Sequence, residues 1–117
     1  MPSPQLSKNE AFAAVPVPSR EVKVLLTAEG LVRLSYPIRL RPWLARLVPR
    51  QAAAVARRTI ELDSMGSFVW NHIDGDRSVR GLADLVTERY ACLPVEAENA
   101  VADFLRQLGR RGIIGMR

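Results

Sequence analysis

The stretch 62–79, LDSMGSFVWNHIDGDRSV, decides how the chain is built, because it joins the end of a strand to two capped helices. Asp63 or Ser64 can cap a helix that carries apolar residues at helical spacing and stops at Asp74-Gly75. Ser78 can then cap a second helix. The stretch therefore predicts a strand followed by two helices.

Two short apolar runs upstream predict a β-hairpin. Residues 21–26 (EVKVLL) and 31–35 (LVRLS) flank a turn that ends in Gly30. Tyr36-Pro37 is expected to end the second strand, because proline cannot donate to a ladder. Residues 57–62 (RRTIEL) alternate again and predict a third strand.

Downstream, Pro94 lies where the first turn of a third helix is expected, and Gly112 ends that helix. Ile113-Ile114 can form a last extended piece. The residues predicted to face inward are Ala97, Val101, Phe104, Leu105 and Leu108. The order predicts an α+β fold of winged-helix-like type, in which a small three-stranded antiparallel sheet is followed by a three-helix bundle.

Length and composition limit the class of protein. A chain of 117 residues has room for one small domain, which we place at 20–117 after a flexible, proline-rich arm at 1–19 that can dock through the region of Phe12 and Val15. Cys92 is the single cysteine, so a disulfide framework is excluded. No uncharged apolar run approaches the ~20 residues of a membrane-spanning helix. With no export signal apparent, the cytoplasm is the expected compartment.

The net charge of +5 comes from one segment. Residues 31–60 contain seven arginines and no acidic residue, whereas the rest of the chain has 10 basic residues against 12 acidic ones. This distribution predicts a local patch that faces something acidic.

An Arg-rich insert at about 37–57 lies inside this window. Its basic amphipathic stretch is a candidate for docking a partner enzyme, an anionic membrane or nucleic acid. The alternative is a solvated surface excursion whose apolar residues pack back on the domain. The candidate docking residues are Arg41, Trp43, Arg46, Leu47 and Arg50.

Catalysis has no candidate residues. His72 is the only histidine, Cys92 has no base near it in sequence, and the Asp-Gly-Asp run at 74–76 suits a turn. We therefore predict a protein that is not an enzyme and that needs no metal or cofactor.

The block 62–79 resembles the signature of the coenzyme PQQ synthesis protein D (PqqD) family. Its pattern is Leu-Asn/Asp, two residues, a small residue, then an apolar pair, Asp-Gly, a basic residue and Ser/Thr-Val. The closing helix and the opening hairpin also fit the family, so that the resemblance spans about residues 20–115. The chain resembles a longer variant, in which an insert separates the hairpin from the third strand.

The resemblance implies a recognition element for ribosomally made, modified peptides. Members act as peptide chaperones that hold the leader of a precursor peptide and present it to a modifying enzyme, often a radical-SAM protein. The leader adds as a strand to the sheet edge, between the third strand and the third helix. The strand that pairs with the leader is implied to be Arg57, Arg58, Thr59, Ile60, Glu61 and Leu62. The implied helical wall consists of Ala97, Val101 and Leu105. The positive charges that would select an acidic leader are those of Arg57, Arg58 and Arg106.

Two alternatives stay open at this point. A winged-helix DNA-binding protein is one, although the third helix begins with Glu96 and Glu98 rather than with basic residues. A docking subunit of an enzyme complex that binds no leader is the other. A homodimer, a strand swap or the N-terminal arm are three ways of covering the sheet edge.

Overall fold

A computed structural model of the chain describes residues 4–38 and 56–117, together with Trp43, Arg46, Leu47 and Pro49. Its strands are β1 (Pro16–Pro18), β2 (Lys23–Leu26), β3 (Val32–Pro37), β4 (Arg57–Glu61) and β5 (Ile114–Met116). Its helices are α1 (Pro4–Ala13), α2 (Ser64–Asn71), α3 (Val79–Tyr90) and α4 (Pro94–Arg110). The predicted α+β class with a three-stranded antiparallel sheet is confirmed.

The main sheet has the strand order β2–β3–β4, and both pairings are antiparallel. The turn between β2 and β3 is closed by the N–H of Thr27, which donates to the carbonyl of Leu31 at 2.8 Å. Gly30 lies in this turn at φ +83°, a conformation that favours glycine. The predicted hairpin is therefore confirmed.

The ends of the strands differ slightly from the prediction. β3 continues to Pro37, which pairs with Arg57, and the third strand ends at Glu61 instead of residue 62. Pro37 is tolerated because the position opposite it, Glu21, lies before the start of β2. The carbonyl of Glu21 accepts a hydrogen bond from the guanidinium of Arg57 at 2.7 Å, which replaces the donor that proline lacks.

The helices begin at the residues that the sequence indicated. The side chain of Asp63 accepts from the N–H of Gly66 at 2.7 Å and caps α2, and Ser78 accepts from Gly81 at 3.1 Å and caps α3. Pro94 is the first residue of α4. These caps fix where the helical layer starts relative to the end of β4.

The core lies between the inner face of the sheet and the helices. Alternate residues of β3 point inward, and the apolar stripes of α3 and α4 pack against them and against each other. The largest fully buried apolar side chains are Leu34, Leu82, Leu105, Leu108 and Ile113.

One buried polar side chain joins the sheet to α2. The hydroxyl of Ser67 accepts from the N–H of Val32 at 2.9 Å and donates to the carbonyl of Leu62 at 3.4 Å. Ser67 therefore satisfies backbone groups at the ends of β3 and β4 that would otherwise be buried without partners.

The two ends of the described chain are paired with each other. β1 and β5 form a two-stranded antiparallel sheet, and Phe12 of α1 is buried in the core. From the sequence we predicted a flexible arm at 1–19 and neither α1 nor β1, although the last extended piece appears as β5. The helical turns predicted within 38–56 lie outside the described residues, except for Trp43, Arg46, Leu47 and Pro49.

Candidate functional site

The outer edge of β4 presents backbone groups that the sheet does not use. The N–H of Leu62 donates to Val32 at 2.8 Å and the N–H of Ile38 donates to Ala56 at 3.0 Å. Because hydrogen-bonded positions alternate along an antiparallel pair, the even-numbered residues 56–62 bond to β3. The odd-numbered ones, with Thr59 in the middle, direct N–H and C=O away from the sheet. Within the described residues, no strand lies on that side.

A groove of about 620 Å³ runs between this strand and α4. Ile60 on the inner face of β4 and the half-buried ring of Phe104 on α4 stand on its two sides. The groove has apolar residues along its middle and carboxylates at the end nearest α2. Its lining consists of Ile60, Glu61, Leu62, Asp63, Met65, Ala100, Asp103, Phe104, Gln107, Leu108 and Arg111.

Gly66 leaves room for the ring of Phe104 at the start of α2. A Cβ at this position would lie 3.0 Å from Cε1 of Phe104 and 3.0 Å from the capping Oδ1 of Asp63. Glycine therefore lets the Phe104 ring lie against the start of α2, where it forms part of the groove. Gly66 belongs to the signature block on which the family resemblance rests.

A second cavity of about 420 Å³ lies beyond the groove, beside the start of β4. Arg111 lines both cavities, and its guanidinium donates to the hydroxyl of the buried Tyr36 at 3.2 Å. Arg58 and Arg110 are two further arginines that line the second cavity. The groove is therefore acidic at one end and basic at the other.

The predicted strand residues divide between the two faces of the sheet. Arg58 and Ile60 lie on the inner face, beside α4, and Leu62 is buried at the end of the groove. Arg57 lies on the outer face, where it donates to the side chain and the carbonyl of Ser35, both at 2.9 Å. Glu61 pairs with Arg33 on the same outer face at 2.9 Å. Arg57 therefore holds the sheet together instead of standing free beside the edge.

The predicted helical wall needs a correction. Ala97, Val101 and Leu105 are buried in the core, so their side chains do not line the groove. Arg106 lines a smaller cavity against α1 and pairs with Asp103 at 3.4 Å. The wall of the groove comes from the neighbouring stripe of α4, whose members are Ala100, Asp103, Phe104, Gln107 and Arg111.

The sequence contained a signal for this neighbouring stripe. Positions 100, 104, 107 and 111 are spaced as one helical face, next to the more apolar face 97, 101, 105 and 108. The most apolar stripe of an amphipathic helix packs into the core, so that a surface groove must use the mixed stripe beside it. Arg110 and Arg111 follow this stripe at the end of the helix, where their charge also suits the helix dipole.

The candidate docking residues of the insert are exposed where the structure describes them. The exposed fraction is 63% for Trp43 and 74% for Leu47, and Arg46 is exposed as well. Arg41 and Arg50 lie outside the described residues. The alternative, in which Trp43 and Leu47 pack back on the domain, does not agree with these exposures.

The described residues contain no group of three or more His, Cys, Asp or Glu side chains placed to hold a metal ion. None of their helices has the length and apolar character needed to cross a membrane.

The described chain is thus a small α+β domain with an open strand edge beside a helix-walled groove. Comparison with family descriptions gives a match over residues 24–114 to "Coenzyme PQQ synthesis protein D (PqqD)". The chain belongs to the PqqD family, whose members are accessory binding proteins of natural-product biosynthesis. Comparisons with curated proteins and with solved structures gave no match.

Proposed function

We propose that this protein binds the leader of a ribosomally synthesised precursor peptide by strand addition to β4 and presents the peptide to a modifying enzyme, such as a radical-SAM protein. One observation carries the proposal: the unused backbone groups of β4 lie directly beside the groove of α4. An extended peptide can pair with that edge and place every second side chain in the groove. The protein acts as a non-catalytic partner in the cytoplasm.

The backbone supplies affinity and the groove supplies selectivity. A peptide strand pairs with N–H and C=O groups whatever its side chains are, so pairing alone does not distinguish one leader from another. Side chains that point toward α4 meet the Phe104 ring and Ile60, and their neighbours meet the charges at the two ends. A leader must match this order of apolar and charged surface.

The modifying enzyme needs a different surface, because the β4 edge is occupied by the peptide. Trp43, Arg46 and Leu47 are exposed, and Trp and Arg are enriched at the centre of protein interfaces. We place enzyme docking there and expect Trp43→Ser with Arg46→Ser to weaken enzyme binding while leader affinity is unchanged. If that variant lost leader affinity, enzyme docking and leader binding would share one surface.

The decisive test places proline at the two open edges of the same sheet. Thr59→Pro removes the outward N–H in the middle of β4. The hydrogen bonds between β4 and β3 are kept, because the backbone of Thr59 makes none of them. In Val24→Pro an outward N–H is removed from β2, so this variant is the matched control. The probes are synthetic leaders of short precursor peptides encoded near this gene, titrated into isotope-labelled protein.

We expect one leader to shift the amide resonances of residues 57–62 and of α4 in a saturable way. Thr59→Pro should lower its affinity at least about tenfold, which is roughly the worth of one or two hydrogen bonds, and Val24→Pro should leave it unchanged. Far-UV circular dichroism and thermal unfolding establish that both variants fold. Unchanged leader affinity in a folded Thr59→Pro protein would contradict the proposal.

A further inference from the structure

The basic cavity beside the start of β4 has a composition that the proposed strand addition alone does not require. Arg58 comes from β4, whereas Arg110 and Arg111 come from the end of α4, so that three arginines from two elements line one space. The buried Tyr36 lies in the same wall, where its hydroxyl accepts from Arg111 and keeps its own proton to donate.

Within the part of the chain that the structure describes, the arginines of this cavity have no ion-pair partner. All 12 carboxylate side chains of the sequence lie in the described residues, since the stretch 31–60 contains none. The ion pairs they form use other basic residues, and none includes Arg58, Arg110 or Arg111. The helix dipole favours Arg110 and Arg111 at the end of α4, but it gives no reason for Arg58 on the strand opposite.

The groove and the cavity are arranged along β4 with the spacing of a strand. Ile60 borders the groove and Arg58 borders the basic cavity, and both lie on the inner face two residues apart. A peptide strand beside them also places every second side chain on that face. Its intervening residue lies opposite Thr59 and can exchange both backbone hydrogen bonds with it.

We infer that the leader carries an acidic side chain that enters the basic cavity, two residues C-terminal to an apolar side chain that lies against Ile60 and Phe104. The inference rests on the proposed function and adds the substrate class: a peptide with the motif apolar–any–Asp/Glu. The order of the motif follows from antiparallel addition, the more stable ladder, in which the peptide runs from the Ile60 end of β4 toward Arg58.

A peptide library tests the motif even while the natural leader is unidentified. Short random peptides on display are selected on the wild-type protein, with Thr59→Pro protein as the counter-selection. We expect the enriched peptides to share an apolar residue followed two positions later by Asp or Glu. Changing that acid to Gln or Asn in a synthetic copy should weaken binding by about 3- to 10-fold, the range for a charge-assisted contact that is partly open to solvent.

A charge exchange separates recognition from mere attraction to a basic protein. In Arg58→Glu, the acidic peptide should bind at least about tenfold more weakly, and the same peptide with Lys in place of the acid should recover affinity. Arg20→Glu is the matched control, because it makes the same change of net charge at an exposed position before β2. In Arg20→Glu we expect neither the loss of affinity for the acidic peptide nor the gain of affinity for the Lys peptide.

The outcomes distinguish failure of this inference from failure of the proposed function. Peptides whose binding is lost in Thr59→Pro but which show no acidic preference overturn the inference and leave strand addition in place. Absence of any peptide sensitive to Thr59→Pro overturns both. Random duplex DNA at physiological salt and inorganic phosphate are tested in parallel. If DNA binds in a saturable way, this binding is lost in Arg58→Glu, and no peptide shows an acidic preference, the cavity is assigned to nucleic acid and the inference is overturned.

Discussion

The two edges of the main sheet are alike in their backbone and different in what lies beside them. At both β2 and β4, alternate N–H and C=O groups point away from the sheet, and within the described residues neither strand has a second neighbour. Beside β4 stands α4, which turns the edge into one side of a groove. Beside β2, no helix of the described ranges 4–38 and 56–117 covers the inner face. The exposed fractions of Val24 and Leu26 are 49% and 71%, although these residues pair with the buried Leu34 and Val32.

The difference shows why an open edge is not by itself a selective site. Strand addition at β2 would gain the same ladder but would meet exposed side chains without a helical wall among the described residues. Addition at β4 brings each inward side chain of the added strand against α4. In the function proposed above, selectivity therefore depends on the helix beside the strand, and the strongest tests change one edge while leaving the other intact.

The largest expected effect comes from filling the groove. Ala100 is half-buried in the wall of α4, and Ala100→Phe would place a ring where we expect the peptide's apolar side chain. We expect leader affinity to fall by at least about tenfold, because the displaced apolar contact is worth about 1.5–3 kcal/mol. Asn99→Phe adds the same ring one position earlier, on the solvent face, and should leave affinity within twofold, which is about the accuracy of the measurement. If both variants lost leader affinity equally, the groove would not be part of the binding site.

From the sequence we predicted the β4 strand of this comparison, but we placed the helical wall on the stripe next to the one that lines the groove. The alternation in 57–62 indicated a strand, and Asp63, Ser78 and Pro94 indicated where the helices begin, since caps are local signals. Whether that strand lies at an edge depends on pairing across the insert, which no local pattern contains. The wall was placed on the most apolar stripe of α4, and that stripe packs into the core.

The pairing of the chain ends was missed for a similar reason. β1 contains two prolines in three residues, a composition that argues against a strand, and it forms one only by pairing with β5 nearly a hundred residues later. The N–H of Val15 donates to the carbonyl of Arg117 at 3.0 Å, and Arg117 returns a bond of 2.9 Å. Such a contact is specified by the completed fold and leaves no periodic pattern in either segment.

A smaller effect is expected at the other edge, where the exposed apolar residues of β2 favour self-association. Leu26 and Leu25 are 71% and 56% exposed on opposite faces of an unprotected strand, an arrangement that promotes edge-to-edge pairing between copies. Leu26→Lys should lower the weight-average mass of concentrated protein in sedimentation, with a change in unfolding free energy within about 0.5 kcal/mol. Leader affinity should not change. A parallel loss of leader binding would mean that the two edges are not independent.

The smallest expected effect concerns the face of α4 that is turned away from both edges. The carboxylate of Glu98 accepts a hydrogen bond from Arg80 at 2.6 Å and lies 3.6 Å from the ammonium of Lys8 on α1. The hydrogen bond from Arg80, together with both nearby positive charges, lowers the pKa of Glu98 below its ordinary value. Because the folded pKa is below the unfolded one, this contribution to stability is present at neutral pH and is lost as the pH falls through the folded pKa. Glu98→Gln should therefore unfold at a slightly lower temperature than the wild type at pH 7, and the difference should shrink under acidic conditions. Leader affinity at pH 7 should be the same in both proteins, since the groove stripe and the Glu98 face lie on different sides of the helix. A stability difference that grows as the pH falls would contradict the ion-pair assignment.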